Sequence, residues 1–130
     1  MDIFLLGSAK FILGTSSGPS VIGFIFNTPV AMTNYASNMA NYLGSNDIFI
    51  PKNFFDLKTK KKVSFNRIFS FPLGMGSNEN WFKNICNVES KFNSAKEIKD
   101  LTLEMIEKVF NDQKYIENEQ QKRFKKITEK

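Results

Sequence analysis

Apolar residues cluster in short runs near the start of the chain: Phe11 to Leu13, Val21 to Phe26, Val30 to Met32 and Ile48 to Ile50. The first run feeds a strand, Phe11 to Gly14. The second fits a buried helix from about Pro19 to about Phe26, which Asn27-Thr28-Pro29 ends. Pro29 then opens a second strand, Val30 to Thr33, and Asp47 to Ile50 forms a third that Pro51 stops. Short connections between these pieces predict a strand-helix-strand unit with a right-handed crossover. Before it, Asp2 to Ala9 read as the last turns of a helix or a short lead-in. Residues 35 to 46 read as a polar and aromatic loop with a helical turn.

The pattern changes after Pro51. Asn53 to Lys62 reads as a surface segment, and Ser64 to Phe69 as a short helix with Ser64 as its N-cap and Phe65, Ile68 and Phe69 on one face. Pro72, Gly74 and Gly76 mark Ser70 to Asn80 as a turn-rich loop. Trp81 to Val88 fits either a helix or irregular chain. The clearest helix begins near residue 94, where Ser94 and Glu97 have capping-box spacing. Ile98, Leu101, Met105 and Val109, with Thr102, Ile106 and Phe110, then follow a helical stripe. Beyond Asp112 the chain stays helix-prone but polar. A long C-terminal helix with a solvated end is expected, and without a sustained heptad it is no coiled coil.

Charge sharpens this division. Residues 1 to 46 carry only Asp2 and Lys10. A first third so poor in charge is expected to be buried on several sides, as parallel strands and their covering helices are. The whole chain of 130 residues is 42% apolar, enough for one domain with a core. Its net charge is +5, but Lys outnumbers Arg 16 to 2, and Arg is the preferred reader of bases and phosphates. No nucleic-acid partner is therefore expected. The excess of Lys, Asn, Ile and Phe matches the codon bias of an AT-rich genome. The run Lys58, Lys60, Lys61 and Lys62 fits a solvated loop, with contact to phosphate or to membrane lipid as the functional alternative.

Several chemistries are excluded. There is no histidine, so a Ser-His-Asp arrangement and a histidine metal site are ruled out. The lone Cys86 cannot form an intramolecular disulfide and fits a small buried residue in a reducing compartment. No metal and no cofactor are expected. No secretory signal is visible, and Val21 to Phe26 is too short to span a bilayer. A soluble, cytoplasmic protein is expected.

One stretch retains chemical potential: the turn Thr15-Ser16-Ser17-Gly18-Pro19-Ser20. Gly18 permits backbone angles closed to other residues, Pro19 suits a first helical position, and Ser16 or Ser17 can cap the helix. Such a turn offers backbone N–H groups, the hydroxyls of Thr15, Ser16, Ser17 and Ser20, and the positive end of a helix. That combination suits a diphosphate. It lacks the Gly-x-Gly-x-x-Gly fingerprint and the Gly-Lys-Ser/Thr of a P-loop. Read from the residues alone, the signal is weak, and a well-capped buried helix accounts for the same residues.

The full stretch Phe11-Ile-Leu-Gly-Thr-Ser-Ser-Gly-Pro-Ser-Val-Ile-Gly-Phe-Ile-Phe-Asn-Thr-Pro-Val-Ala-Met-Thr-Asn34 resembles the donor-side motif of glycosyltransferase-like proteins from bacterial surface-polysaccharide loci. More distantly, it is similar to the heptosyltransferase type, in which a Ser-Gly-Pro turn precedes a helix and a Pro-Val strand. Asp47-Ile-Phe-Ile-Pro-Lys52 looks like the following strand, and Asn93 to Met105 like the C-terminal helix of the same family. The resemblance covers about residues 2 to 110. It implies an α/β fold: a partial Rossmann-like three-layer unit with a short parallel sheet of about three strands and a long C-terminal helix. Residues 1–112 would be the C-terminal part of a GT-B-like nucleotide-sugar-binding domain, and 113–130 a polar helical tail.

The resemblance further implies that Ser16, Ser17 and Gly18 lie at the donor phosphates and that Asn34 lies near the cleft. The candidate substrate-binding set is thus Thr15, Ser16, Ser17, Gly18, Ser20 and Asn34. The expected ligand is a nucleotide-sugar donor. Because the chain starts just before the motif, the resemblance implies that the acceptor domain and the first donor-domain strands are missing from it, and no catalytic base has a candidate. A fragment, a split gene product or a chain working with a separate N-terminal acceptor-domain partner is expected, with no turnover alone and with peripheral contact at the inner face of the membrane. An uncovered apolar sheet edge and face follow from so small a sheet. The alternative is a non-enzymatic interaction module, phage or mobile-element encoded, that docks through its apolar first third.

Overall fold

The computed structural model describes residues 2–35, 44–76, 78–111 and 115–128. Its centre is a parallel three-stranded sheet in the order β1 (Ile12–Thr15), β2 (Val30–Tyr35), β3 (Ile48–Pro51). Ile12 pairs with Val30 and Thr15 with Thr33, while Ala31 pairs with Ile48. The parallel register requires a crossover, and α2 (Gly18–Phe26) supplies it between β1 and β2. At its end the chain turns back through Asn27, which sits in the left-handed region (φ 56°), a conformation an asparagine tolerates. Asp47 secures the start of β2: its carboxylate accepts the Val30 N–H at 2.7 Å and the Gly44 N–H at 2.6 Å.

Helix α2 lies close on the sheet because residue 23 has no side chain. A Cβ there would stand 2.6 Å from Val30 Cγ2 and 3.0 Å from Ile12 Cδ1. The same layer holds α1 (Asp2–Ser8), which rests on α2 where Gly7 meets the Phe26 ring. Ile12, Val30, Met32, Tyr35 and Phe49 form the core beneath, joined by Leu6, Phe65 and Phe69. The Tyr35 hydroxyl is buried there without a hydrogen-bond partner, and burial raises its pKa.

The opposite face carries Ala31 and Ile48 and is covered by α5 (Ala95–Phe110) through Leu101 and Met105. The capping box expected at Ser94 is formed: the Glu97 N–H donates to Ser94 Oγ, and the Ser94 N–H donates to Glu97 Oε2. The result is an α/β unit of three layers with a parallel sheet and a long helix, in keeping with a partial Rossmann-like fold. Among the described residues no helix is long and apolar enough to cross a membrane.

Two expectations need adjustment. β3 ends at Pro51, as its last residue, but β4 (Asn53–Asp56) follows after one residue. The segment read as surface therefore contains a strand, and Phe54 is buried. Its antiparallel partner is β5 (Val88–Lys91), reached through α3 (Phe65–Ile68), a 3-10 turn (Leu73–Met75) and α4 (Glu79–Asn84). These pieces share a second small core, with Phe54, Val63, Ile68, Leu73, Phe82, Cys86 and Val88 at its centre. Finally, α5 ends at Phe110, and a separate polar helix, α6 (Glu119–Thr128), begins beyond Tyr115. The expected loop of residues 35 to 46 falls largely outside the described residues.

Helix α6 has a specific task at the sheet edge. Gln121 is only 2% exposed. Its amide imitates a neighbouring strand: Nε2 donates to the Phe49 carbonyl at 2.9 Å, and Oε1 accepts the Phe49 N–H at 3.2 Å. Replacing Gln121 by Leu should therefore cost about 1–3 kcal/mol, since two buried backbone groups lose these bonds. Urea denaturation of Gln121→Leu measures this, with faster exchange of the Phe49 amide as the accompanying sign.

Candidate functional site at the turn between β1 and α2

The candidate residues Thr15 to Ser20 form one turn at the carboxyl end of β1. Ser17 stands at the N-cap of α2 with extended backbone (φ −151°), and its side chain makes no capping bond. Gly18 opens the helix, so Pro19 takes the second helical position, one later than the sequence suggests. Ser20 holds the turn together from within. It is buried, its hydroxyl donates to the Thr15 carbonyl at 2.7 Å, and its N–H donates to the Ser17 carbonyl at 3.0 Å. The Ser17 hydroxyl also leans on the Thr15 carbonyl, at 3.4 Å. Thr15, Ser17, Gly18 and Pro19 are exposed, and Ser16 is half-buried.

This leaves a distinct set of donors. Pro19 has no N–H, and that of Ser20 is used. The backbone N–H groups of Ser16, Ser17 and Gly18 meet no acceptor among the described residues. No acidic side chain occupies the first turn of α2, so no carboxylate of that turn offsets its positive end. Gly18 does not use the left-handed region, and a Cβ on it would meet nothing within 4 Å. Its backbone is open from outside. The turn holds no acid or base, so it can bind and polarise an anion but cannot move a proton.

Asn34 stands across from the turn. The pairing of Thr15 with Thr33 puts it beside Ser16, at the same end of the sheet. Asn34 lies in the left-handed region (φ 51°), within the irregular step between Met32 and Tyr35. Its side-chain oxygen accepts the Asn93 N–H at 2.6 Å, while the Asn34 N–H donates to Asn93 Oδ1 at 2.6 Å. Asn93 Nδ2 also donates to the Pro51 carbonyl. This clasp ties the ends of β2 and β3 to the start of α5, a role that the sequence does not signal. All six candidate residues thus sit at one end of the sheet, five in the turn and one in the clasp.

Two other polar regions stand apart from it. The lysine run belongs to a tight turn after β4, organised by Asp56. That carboxylate accepts the backbone N–H of Thr59 and bonds from Arg67 and from the Lys58 N–H, which hold its pKa down to about 2. Along α5, a cavity of about 660 Å³ is lined by Glu97, Asp100, Glu104 and Glu107, with Tyr115 at its side. Burial raises the Glu104 pKa, against the opposing effect of the Tyr115 hydroxyl, which donates to it at 2.9 Å. The four carboxylates give this cavity an acidic wall, with Lys62 also in its lining. No protein-family model matches the chain, and neither a curated protein nor a solved structure does so.

Two outcomes follow for substitution. Ser20→Ala should lower stability by about 1 kcal/mol through the lost bond to Thr15, whereas Gly18→Ala should stay within about 0.5 kcal/mol of wild type. Urea denaturation of the two variants measures both. Glu104 gives a pH test. Its raised pKa means the unfolded chain ionises first as pH rises through the ordinary Glu range, so stability falls across that range. Glu104→Gln should remove this fall and melt at a higher temperature than wild type at pH 7, as read by thermal denaturation at pH 4 and pH 7.

Proposed function

We propose that the chain is the donor-binding portion of a glycosyltransferase that moves a sugar from a nucleotide-sugar to a surface glycan. The observation that carries this reading is the turn itself: three N–H groups, at Ser16, Ser17 and Gly18, that meet no acceptor among the described residues, on an open backbone at the carboxyl end of a parallel strand. Open α/β sheets bind ligands at that end. The motif resemblance of Phe11 to Asn34 supplies the chemical class of the ligand.

In this reading the diphosphate of the donor rests on the N–H groups of residues 16 to 18, with the Ser16 and Ser17 hydroxyls beside it. When an acceptor hydroxyl attacks the anomeric carbon, the bond to the diphosphate breaks and negative charge collects on the leaving oxygen. Fixed N–H dipoles and the helix end stabilise that charge. Ser20 and the Asn34–Asn93 clasp position the elements around it. The base that takes the acceptor proton comes from elsewhere, on a separate acceptor-domain chain or segment, so the 130 residues alone turn over no substrate. The work would take place in the cytoplasm, at the inner face of the membrane.

A second reading is favoured by a different observation. Phe4 is 74% exposed and Phe24 52%, in a segment with almost no charge. Such a surface suits an interaction module that docks through its apolar first third.

Isothermal titration with a nucleoside diphosphate separates the two. The donor reading expects saturable heat from wild type and at least about tenfold weaker binding by Gly18→Val, whose side chain stands where the phosphates would approach. Equal heats from both proteins, or none from wild type, contradict it.

A further inference from the structure

We propose that the groove between α5 and the segment 115–121 binds a linear polyamine, a small organic polycation. This site stands apart from the turn between β1 and α2, and neither reading depends on the other.

The groove has the size and the mixed lining of a small-ligand site. Its volume of about 660 Å³ lies within the range that such sites occupy. One wall is α5, the other is the segment 115–121, and Ile50 and Phe65 add to the apolar part of the lining. The second wall is held at both ends. The Tyr115 hydroxyl donates to Glu104, and the Gln121 amide is bonded to Phe49.

The α5 wall supplies the charge. Glu97, Asp100, Glu104 and Glu107 follow one another at steps of three or four residues, which puts them on one face of the helix. Along the axis such steps measure about 4.5 to 6 Å. That is the reach of the short methylene spacers between the ammonium groups of a linear polyamine. The near end of the row is already engaged: Glu97 accepts the Ser94 N–H and feels Lys62, and Asp100 pairs with Lys96 at 3.1 Å. Glu104 and Glu107 form no ion pair among the described residues. Lys108, beside them, sends its ammonium to the Ser45 carbonyl and over the Tyr115 ring. Burial disfavours the ionised form of Glu104, and an ammonium at its carboxylate would reverse that effect.

The apolar lining favours an organic cation over a metal ion. Leu103 and Ile116 line the groove yet are 53% and 84% exposed. Methylenes laid over them would take that surface out of water, which a metal ion cannot do. Among the described residues no group of three or more His, Cys, Asp or Glu could hold a metal ion. The net charge of +5 opposes a polycation at long range, but a Debye length of about 8 Å at physiological salt leaves the groups in the groove to decide.

Isothermal titration of the full chain with spermidine tests the site. Wild type should give saturable heat that weakens as salt is raised. Glu104→Gln keeps an acceptor for the Tyr115 hydroxyl and loses the charge, so it should stay folded and bind at least about tenfold more weakly. Glu119→Gln removes an acid of α6 that does not line the groove, and it should bind as wild type does. Amide NMR of wild type gives a reading independent of any variant: spermidine should first shift residues of α5 and of 115–121. No saturable heat, wild-type affinity in folded Glu104→Gln, equal weakening by Glu119→Gln, or shifts led by residues elsewhere overturns the site. Displacement of spermidine by equimolar Mg²⁺ overturns the choice of an organic cation.

Discussion

The close contact of α2 with β1 and β2 governs the rest of this structure. It depends on a missing side chain at Gly23, where any Cβ would collide with Val30 and crowd Ile12. With the helix seated there, its N-terminus has to emerge directly from the end of β1. In the turn of residues 15 to 18, the N–H groups of Ser16, Ser17 and Gly18 meet no acceptor among the described residues. Ser20 then locks the geometry by bonding back to Thr15. The turn is thus held in place by packing further along α2 and by its own internal bond.

Two fasteners keep the sheet in register around that contact. Asp47 takes the N–H groups of Val30 and Gly44 at one end of β2, and the Asn34–Asn93 pair holds the other end against α5. Both use side chains to satisfy backbone groups that a small sheet leaves over. Gln121 does the same at the outer edge of β3. Among the described residues no side chain is seen to do this at the β1 edge, and the most exposed apolar side chains of the first third lie on α1 and α2. The β3 side of the sheet is thus finished by a side chain of the same chain.

How much of this was legible in the sequence follows from the range of the interactions. The strand-turn-helix-strand run is local, and its bounds are right to within one or two residues. The Ser94–Glu97 box is also local and formed as expected. The antiparallel pair of β4 and β5 joins residues more than 30 positions apart, and Lys and Asn around Phe54 disguised a strand as a surface loop. The break after Phe110 was hidden because polar, helix-prone residues fill both sides of it. The clasp of Asn34 with Asn93 and the amide of Gln121 on Phe49 join residues 59 and 72 positions apart and leave no pattern in the chain. The turn itself was found, but its open Gly18 and the inward role of Ser20 appear only in three dimensions.

The proposed donor role requires that the N–H groups of residues 16 to 18 receive a diphosphate. Two-dimensional NMR of the amides during addition of a nucleoside diphosphate tests it most directly. The predicted result is saturable shifts led by Ser16, Ser17 and Gly18, with the amides along the acidic face of α5 unmoved. Shifts led by residues of α5, or no shift at the turn at saturating ligand, would contradict it.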